Sequence, residues 1–316
     1  MNVRGVFDDA VASLSTQRAE ATVKTYKMAS GNFLTYLLEL GIKETDDVSV
    51  LTVDVFIRYS SWLASAGYKK KTINVYSSAS KFFLDWLVIE GKLLPDYQES
   101  VRLDKAYKAV RSKREDFLPR FPKRDDVDKV KGAVYHLKYN EKYKGDLLRA
   151  RNVALIYFLA VTGCRNNEVV NLKIDNLDLV ENQAVVMGKG SKERVVFFDG
   201  ITAEKLKEYW TARGYHAPGD YVFTRHDNGN QGMHSKITTT TVRNVVTEAV
   251  AVAGIPKGKF SPHYFRHAFA IRMLRETGNL ALVQDLLGHC NPNSTRIYAK
   301  IYPDELREAH RAVFGR

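Results

Sequence analysis

The chain has 316 residues, room for two ordinary domains, and its 45% hydrophobic and 27% charged side chains are the balance of a water-soluble globular protein. Lysine and arginine number 48 against 36 aspartate and glutamate, a formal net charge of +12; that excess sets no fold but favours an anionic partner, nucleic acid ahead of a membrane surface. Two cysteines, Cys164 and Cys290, rule out a disulfide framework and point to a reducing compartment. The start, MNVRGVFDDA, turns acidic where a secretion signal needs an apolar run, and the longest apolar stretch, Val153 to Val161, is too short to cross a bilayer. The expectation is a cytoplasmic protein with no membrane partner.

In chain order, the first hundred residues read as helices. Val23, Tyr26, Phe33, Leu37 and Leu40 recur at helical spacing after Thr22, with Gly41 as a stop. Leu51 to Ala66 reads as a second helix ending at Gly67, and Thr72 to Gly91 as another. The expectation is a bundle of about four helices. The stretch RLDKAYKAVRSKREDFLPRFPKR, residues 102–124, holds nine Lys or Arg against three Asp or Glu, with Pro119 and Pro122 near its end. It reads as a linker between two patterned regions, or else as a solvated helix end.

Beyond residue 124 the pattern is mixed. Arg149 to Val161 is an apolar helix broken at Gly163, and QAVVMGKGSKERVVFF reads as two short strands around a glycine-rich turn. Helices follow over Thr202–Arg213, Thr238–Val252, Pro262–Thr277 and Leu280–Leu287, the third opened by a Ser261 cap and proline at its first position. An amphipathic run, Pro303–Phe314, closes the chain. The fold class expected is mainly α with a small β-sheet (α+β).

Several residues in this half suit chemistry at a phosphodiester, which needs a nucleophile, neutralisation of the non-bridging oxygens and a proton for the leaving oxygen. Arg165 follows the helix break at Gly163, and Glu168 lies one helical turn on, where it could orient the guanidinium; a plain surface pair is the alternative. Lys189 stands in the GKGSK turn, where it could donate a proton or simply be solvated. GKGSK lacks the spacing of a phosphate-binding P-loop. His263 and Arg266 fall together in the first turn of a helix, near its positive end. His263 and His267 have the spacing of a zinc helix, but Tyr264 stands where its glutamate should be, so no metal is expected and a packed role suits His267. His289 and Tyr298 stand nine residues apart. Tyrosine's ordinary pKa near 10 means that attack by Tyr298 needs a base or nearby cations; otherwise it is one packed aromatic among 17 tyrosines.

The ordered strings TGCRNNE, GKGSKER, HYFRHAFA, LGHCNPNS and IYAK, spanning residues 162–300, resemble the signature of the tyrosine recombinase (lambda-integrase) family. That signature is TGxRxxE, a GKG hairpin tip, HxLRH, LGH and a tyrosine nine residues on. Phe265 stands where the family has leucine, an apolar exchange that touches packing rather than chemistry. The resemblance implies a helical core-binding domain over 1–110, a basic linker over 111–124 and a catalytic domain over 125–316 whose last helix docks on a neighbouring protomer. Arg165 and Arg266 would clamp the scissile phosphate, Lys189 protonate the leaving 5′-oxygen, His263 assist proton transfer at the tyrosine and His289 hydrogen-bond the phosphate. Glu168 would buttress Arg165, and Tyr298 would form a 3′-phosphotyrosyl link without metal, cofactor or ATP.

The implied partners are double-stranded DNA bearing an inverted-repeat site and three further copies of the chain, a tetramer on DNA. The two domains would embrace the duplex, with the basic linker crossing it. Expected DNA contacts are Lys69, Lys70 and Lys71 in the first domain, and Lys192, Arg194, Thr241 and Arg243 in the second. Two other readings share these residues: a type IB topoisomerase that relaxes DNA as a monomer, and a DNA-binding regulator that keeps the fold but does no chemistry.

Overall fold

The structure is a computed structural model that describes residues 1–16, 18, 20–111, 124–139, 145–188, 192–214, 217–226, 235–258, 260–288, 311, 314 and 315. The chain divides into two compact units, Met1–Asp116 and Phe117–Arg316. Both are mainly helical, and the second carries a small antiparallel sheet, the α+β class expected. Among the described residues, no helix is long and apolar enough to cross a membrane.

The first unit is built from α1 (Val3–Leu14), α2 (Glu20–Glu39), α3 (Val53–Ser65), α4 (Lys70–Ile89) and α5 (Tyr97–Arg111). Each of α1–α4 buries one apolar stripe, and the stripes meet in an aromatic core. Phe33 stacks on Phe56 with ring centroids 5.1 Å apart, and Phe7 meets Phe83 edge-on at 4.9 Å, geometries that aromatic quadrupoles favour. The polar tips in this core find partners: Tyr36 Oη donates to the Val55 carbonyl at 3.1 Å, and Tyr59 Oη to Asn32 Oδ1 at 2.6 Å.

Two helices here lie beyond the sequence expectation. α1 was not foreseen, although Val3, Val6, Phe7, Ala10, Val11 and Leu14 are all buried on one face and Asn2 caps its start by accepting from the Gly5 N–H at 2.8 Å. α5 takes in residues 102–111 of the basic stretch read as linker. The reason is that Leu103 and Tyr107, one turn apart, are buried in the core, while the charged residues between them stay exposed. Tyr107 Oη hydrogen-bonds Ser80 Oγ at 3.1 Å, and Arg102 reaches Asp54 at 2.6 Å. The rest of that stretch, 112–123, lies outside the described residues.

The second unit comprises α6 (Arg124–Ala133), α7 (Gly145–Thr162), α8 (Asn166–Val170), β1 (Leu177–Asp178), β2 (Gln183–Met187), β3 (Glu193–Phe197), α9 (Gly200–Arg213), α10 (Thr239–Val252), α11 (Pro262–Thr277) and α12 (Leu280–Leu287). α7 is buried on nearly every side and packs against α9, α11, α6 and α10, as the apolar run from Val153 to Val161 requires. The sheet runs β1-β2-β3, with Val185 opposite Val195 and Met187 opposite Glu193; the last two strands are those read around GKGSK, and β1 is a two-residue addition. Ala184, Val186 and Val196 face the core. α11 has the expected bounds, with Ser261 at the N-cap position but no capping hydrogen bond to its side chain, Pro262 first, and a stop at Gly278 in the left-handed conformation. Nearly all of the Pro303–Phe314 run lies outside the described residues.

The packing of α5 makes a direct prediction. Leu103→Ala should destabilise the first unit by about 2–4 kcal/mol, the range for a buried leucine. Lys105→Ala, exposed on the same helix, should change stability by less than about 0.5 kcal/mol. Urea unfolding of both variants checks this; equal effects would mean that α5 does not belong to the core.

Candidate active site

The α7–α8 corner begins where Gly163 stops α7. Its φ is +61°, and a Cβ there would stand 2.6 Å from the Phe269 ring, so both conformation and space require glycine. The turn makes Arg165 the N-cap of α8 and puts Glu168 at the third helical position. From there the carboxylate reaches back: Oε2 accepts from the Arg165 backbone N–H at 2.8 Å and Oε1 from Arg165 Nη1 at 2.8 Å. The first contact is half of a capping box and satisfies an N–H that the helix leaves unpaired.

A third donor comes from β3. Arg194 Nη2 donates to Glu168 Oε2 at 2.7 Å and lies 3.9 Å from Cys164 Sγ, while Nη1 donates to the Leu286 carbonyl at the end of α12. Exposure separates the two guanidinium groups. Arg165 keeps 31% of its side-chain surface, whereas Arg194 keeps 10% and Glu168 only 2%; Arg165 is the member of the trio open to a ligand. Burial alone would raise the Glu168 carboxyl, but the Arg194 charge and the hydrogen bonds from Arg165 and Arg194 outweigh it, and the pKa falls below its ordinary value.

Arg266, on the first turn of α11, is itself buried and donates Nη1 to the Gly163 carbonyl at 2.7 Å and Nη2 to the Leu287 carbonyl. Its head therefore lies against the corner that carries Arg165. The hairpin approaches the same corner: the Gly188 N–H donates to the Lys192 carbonyl at 2.7 Å, and a Cβ on Gly188 would sit 3.8 Å from Glu168 Oε1.

His263 is exposed at the start of α11. His267, one turn on, is half-buried, its ring centroid 6.4 Å from that of His263. Burial first, then the neighbouring His263 and Arg266, push its pKa down to about 4, so it is neutral at physiological pH. Burial likewise pushes the Cys164 thiol up to about 11, which leaves it an unreactive packed group.

The structure thus brings Arg165, Glu168 and Arg266 to one corner. Lys189, His289 and Tyr298 lie outside the described residues. Of the expected DNA contacts, Lys69, Lys70 and Lys71 are exposed where α4 begins, and Lys192 and Arg243 are also exposed. Thr241 closes the α10 start, its N–H donating to Thr238 Oγ1 at 3.1 Å and its hydroxyl 3.0 Å from the same atom. Arg194 is turned inward, contrary to its expected place on a DNA-facing surface, because it shares the face of β3 that buries Val196. Strand alternation was the signal for that orientation.

The sequence model of the phage integrase family matches residues 134–305, and that of the phage integrase N-terminal SAM-like domain matches residues 11–91. A tyrosine recombinase of Pseudothermotoga lettingae is 31% identical over 298 residues, covering 92% of this chain and 91% of its own. The tyrosine recombinase XerC of Pediococcus pentosaceus is 29% identical over 310 residues, covering 96% and 95%. Among solved structures, the XerH site-specific recombinase bound to a palindromic difH substrate, a post-cleavage complex, matches with a TM-score of 0.73 over 92% of this chain and 79% of its own; at 24% identity this is a likeness of fold. The chain belongs to the phage integrase family, the tyrosine recombinases.

Two predictions follow from the electrostatics of the corner. Glu168→Gln should cost about 3 kcal/mol near neutral pH, because Arg194 then stays buried without its counter-charge; urea unfolding measures it. His267, held neutral to about pH 4 when folded, takes a proton near 6.5 when unfolded. Its contribution is therefore intact above about pH 6.5 and is lost as the pH falls toward 4. The depressed Glu168 carboxyl adds a second loss only below the ordinary carboxylate range. Unfolding at stepped pH should show a flatter limb between about 6.5 and 4 in His267→Gln than in the wild type; identical limbs would refute it.

Proposed function

We propose that this tyrosine recombinase cleaves and rejoins DNA strands at a specific site through a 3′-phosphotyrosyl intermediate formed on Tyr298. The observation that carries the reading is the corner itself, where a partly open arginine is held by a buried carboxylate and a second arginine is anchored to the same turn. Guanidinium groups suit this task because their planar forks match phosphate oxygens and keep their charge at all working pH values.

In this mechanism Arg165 and Arg266 neutralise charge on the non-bridging oxygens as it develops. The Tyr298 oxygen attacks phosphorus, passing its proton toward His263, while the P–O5′ bond breaks and Lys189 protonates the departing 5′-oxygen. His289 hydrogen-bonds the phosphate. Rejoining reverses the step, as a 5′-hydroxyl of the partner strand attacks the ester and the tyrosine leaves. The phosphodiester's energy is kept in the protein–DNA ester, so neither a metal nor ATP hydrolysis is required.

The proposed partner is double-stranded DNA with an inverted-repeat site, bound by four copies of the chain; the solved XerH relative is itself on a palindromic substrate. Residues 1–110 act as the core-binding domain and 125–316 as the catalytic domain, joined by the basic segment 111–124, and Lys69, Lys70 and Lys71 contact the backbone.

A suicide duplex carrying the cognate site tests the chemistry. The wild-type chain should form a covalent complex that survives denaturing electrophoresis, and Tyr298→Phe should form none. Arg165→Ala and Arg266→Ala should each slow cleavage by about 100-fold or more while DNA is still bound. A covalent adduct undiminished in Tyr298→Phe would overturn the nucleophile assignment.

A further inference from the structure

We propose that Arg194 is a positioning residue for strand cleavage: one guanidinium holds Glu168 against Arg165 and at the same time pins the end of α12. The proposal rests on the phosphate-clamp reading of Arg165 and adds the device that sets the clamp. Nη2 meets Glu168 Oε2 at 2.7 Å and Nη1 meets the Leu286 carbonyl, so the side chain joins β3, the α7–α8 corner and α12 at one point. Two residues after Leu286, Gly288 has φ +60°, and a Cβ there would stand 2.6 Å from Arg194 Cδ. The arginine stem therefore runs along the α12 terminus, and His289 is the next residue in the sequence. Through Glu168 and Leu286, Arg194 links the corner carrying Arg165 to the segment leading to His289 and Tyr298.

The residue type fits the task. A planar fork can serve a carboxylate and a carbonyl together, whereas a lysine offers one point charge. Stability is a weak reason to keep an arginine here, since apolar side chains often replace buried ion pairs at no loss. Arg194 Nε is also buried without a hydrogen-bond partner among the described residues, a cost that a purely structural residue would not need to carry. With 10% of its side chain exposed, Arg194 acts on the phosphate through Glu168 and Arg165 rather than by contact.

The test measures cleavage of the suicide duplex, DNA affinity and melting temperature for full-length Arg194→Ala, Arg194→Lys, Arg165→Ala and the doubles combining Arg165→Ala with each Arg194 change. Both single Arg194 variants should cleave about 100-fold more slowly, the scale of a misplaced catalytic group, with unchanged DNA affinity. Each double should be slower than Arg165→Ala alone by much less than the Arg194 change costs by itself, because the route through Glu168 is already lost and only the α12 contact remains to be removed. Arg194→Lys keeps a positive charge beside Glu168 and carries the test if alanine prevents folding. Multiplicative losses in the doubles, or wild-type cleavage by Arg194→Lys, would overturn the proposal. So would affinity that falls in step with cleavage and with a shallower salt dependence, which marks a direct phosphate contact. Undiminished cleavage by Arg165→Ala would instead sink the clamp, and the positioning role with it.

Discussion

A carboxylate taken out of water costs on the order of several kcal/mol unless close donors replace its hydration. At Glu168 that requirement is met by three N–H groups from two residues, the Arg165 backbone, the Arg165 side chain and Arg194. The donors come from two separate elements, so satisfying one buried charge forces the start of α8 and the third strand of the sheet into register. The Arg165 guanidinium is thereby fixed with one side toward Glu168 and part of its surface still open. A ligand anion approaching it meets a group whose rotamers are already chosen, so less ordering entropy is lost on binding.

Arg266 applies the same economy from the opposite direction. Instead of a carboxylate it uses two carbonyls, that of Gly163 in the turn just after α7 and that of Leu287 at the end of α12; the second is one of those a helix leaves without an intrahelical partner and lies at the negative end of the helix dipole. A side chain from α11 thus ties the α12 end to the turn that follows α7. Glycine after each of these helices keeps the seam tight: a Cβ at Gly163 would meet Phe269 and Leu287, and one at Gly288 would meet Arg194. The cationic corner is therefore no loose collection of surface charges but a seam where four helix ends and a hairpin meet.

Much of this was legible in the sequence, and what was not has identifiable causes. α11 is marked by a serine at the N-cap position, a proline at its first position and a glycine stop, and its bounds are those expected, although the serine side chain makes no capping hydrogen bond. The hairpin was marked by alternation around a glycine-rich turn. α5 is obscured because only Leu103 and Tyr107 among its described side chains are buried, in a helix otherwise rich in lysine and arginine; net charge speaks for linker while a single pair of side chains decides for packing. α1 had a clear apolar stripe that charge at its start overshadowed. At the corner, the pairing of Arg165 with Glu168 could be anticipated from a spacing of one turn, but the contact of Arg194 with Glu168 spans 26 positions and that with Leu286 spans 92. No local pattern announces such distances. Composition grouped Arg194 with the solvent-facing cations, and only the parity of its strand hinted otherwise.

Those same separations govern when the corner comes into being. The Arg165–Glu168 contact is available as soon as a short helical turn exists, but the Arg266 bond to Gly163 closes a loop of 103 positions. Loop closure on that scale is slow compared with helix formation. During synthesis the turn that bears Arg165 leaves the ribosome well before α11 and α12 have been made, and through that interval Glu168 has only its local partner. The charge constellation is thus a late product of folding, complete only once nearly the whole second unit has condensed, and a partly folded chain would hold its arginines apart.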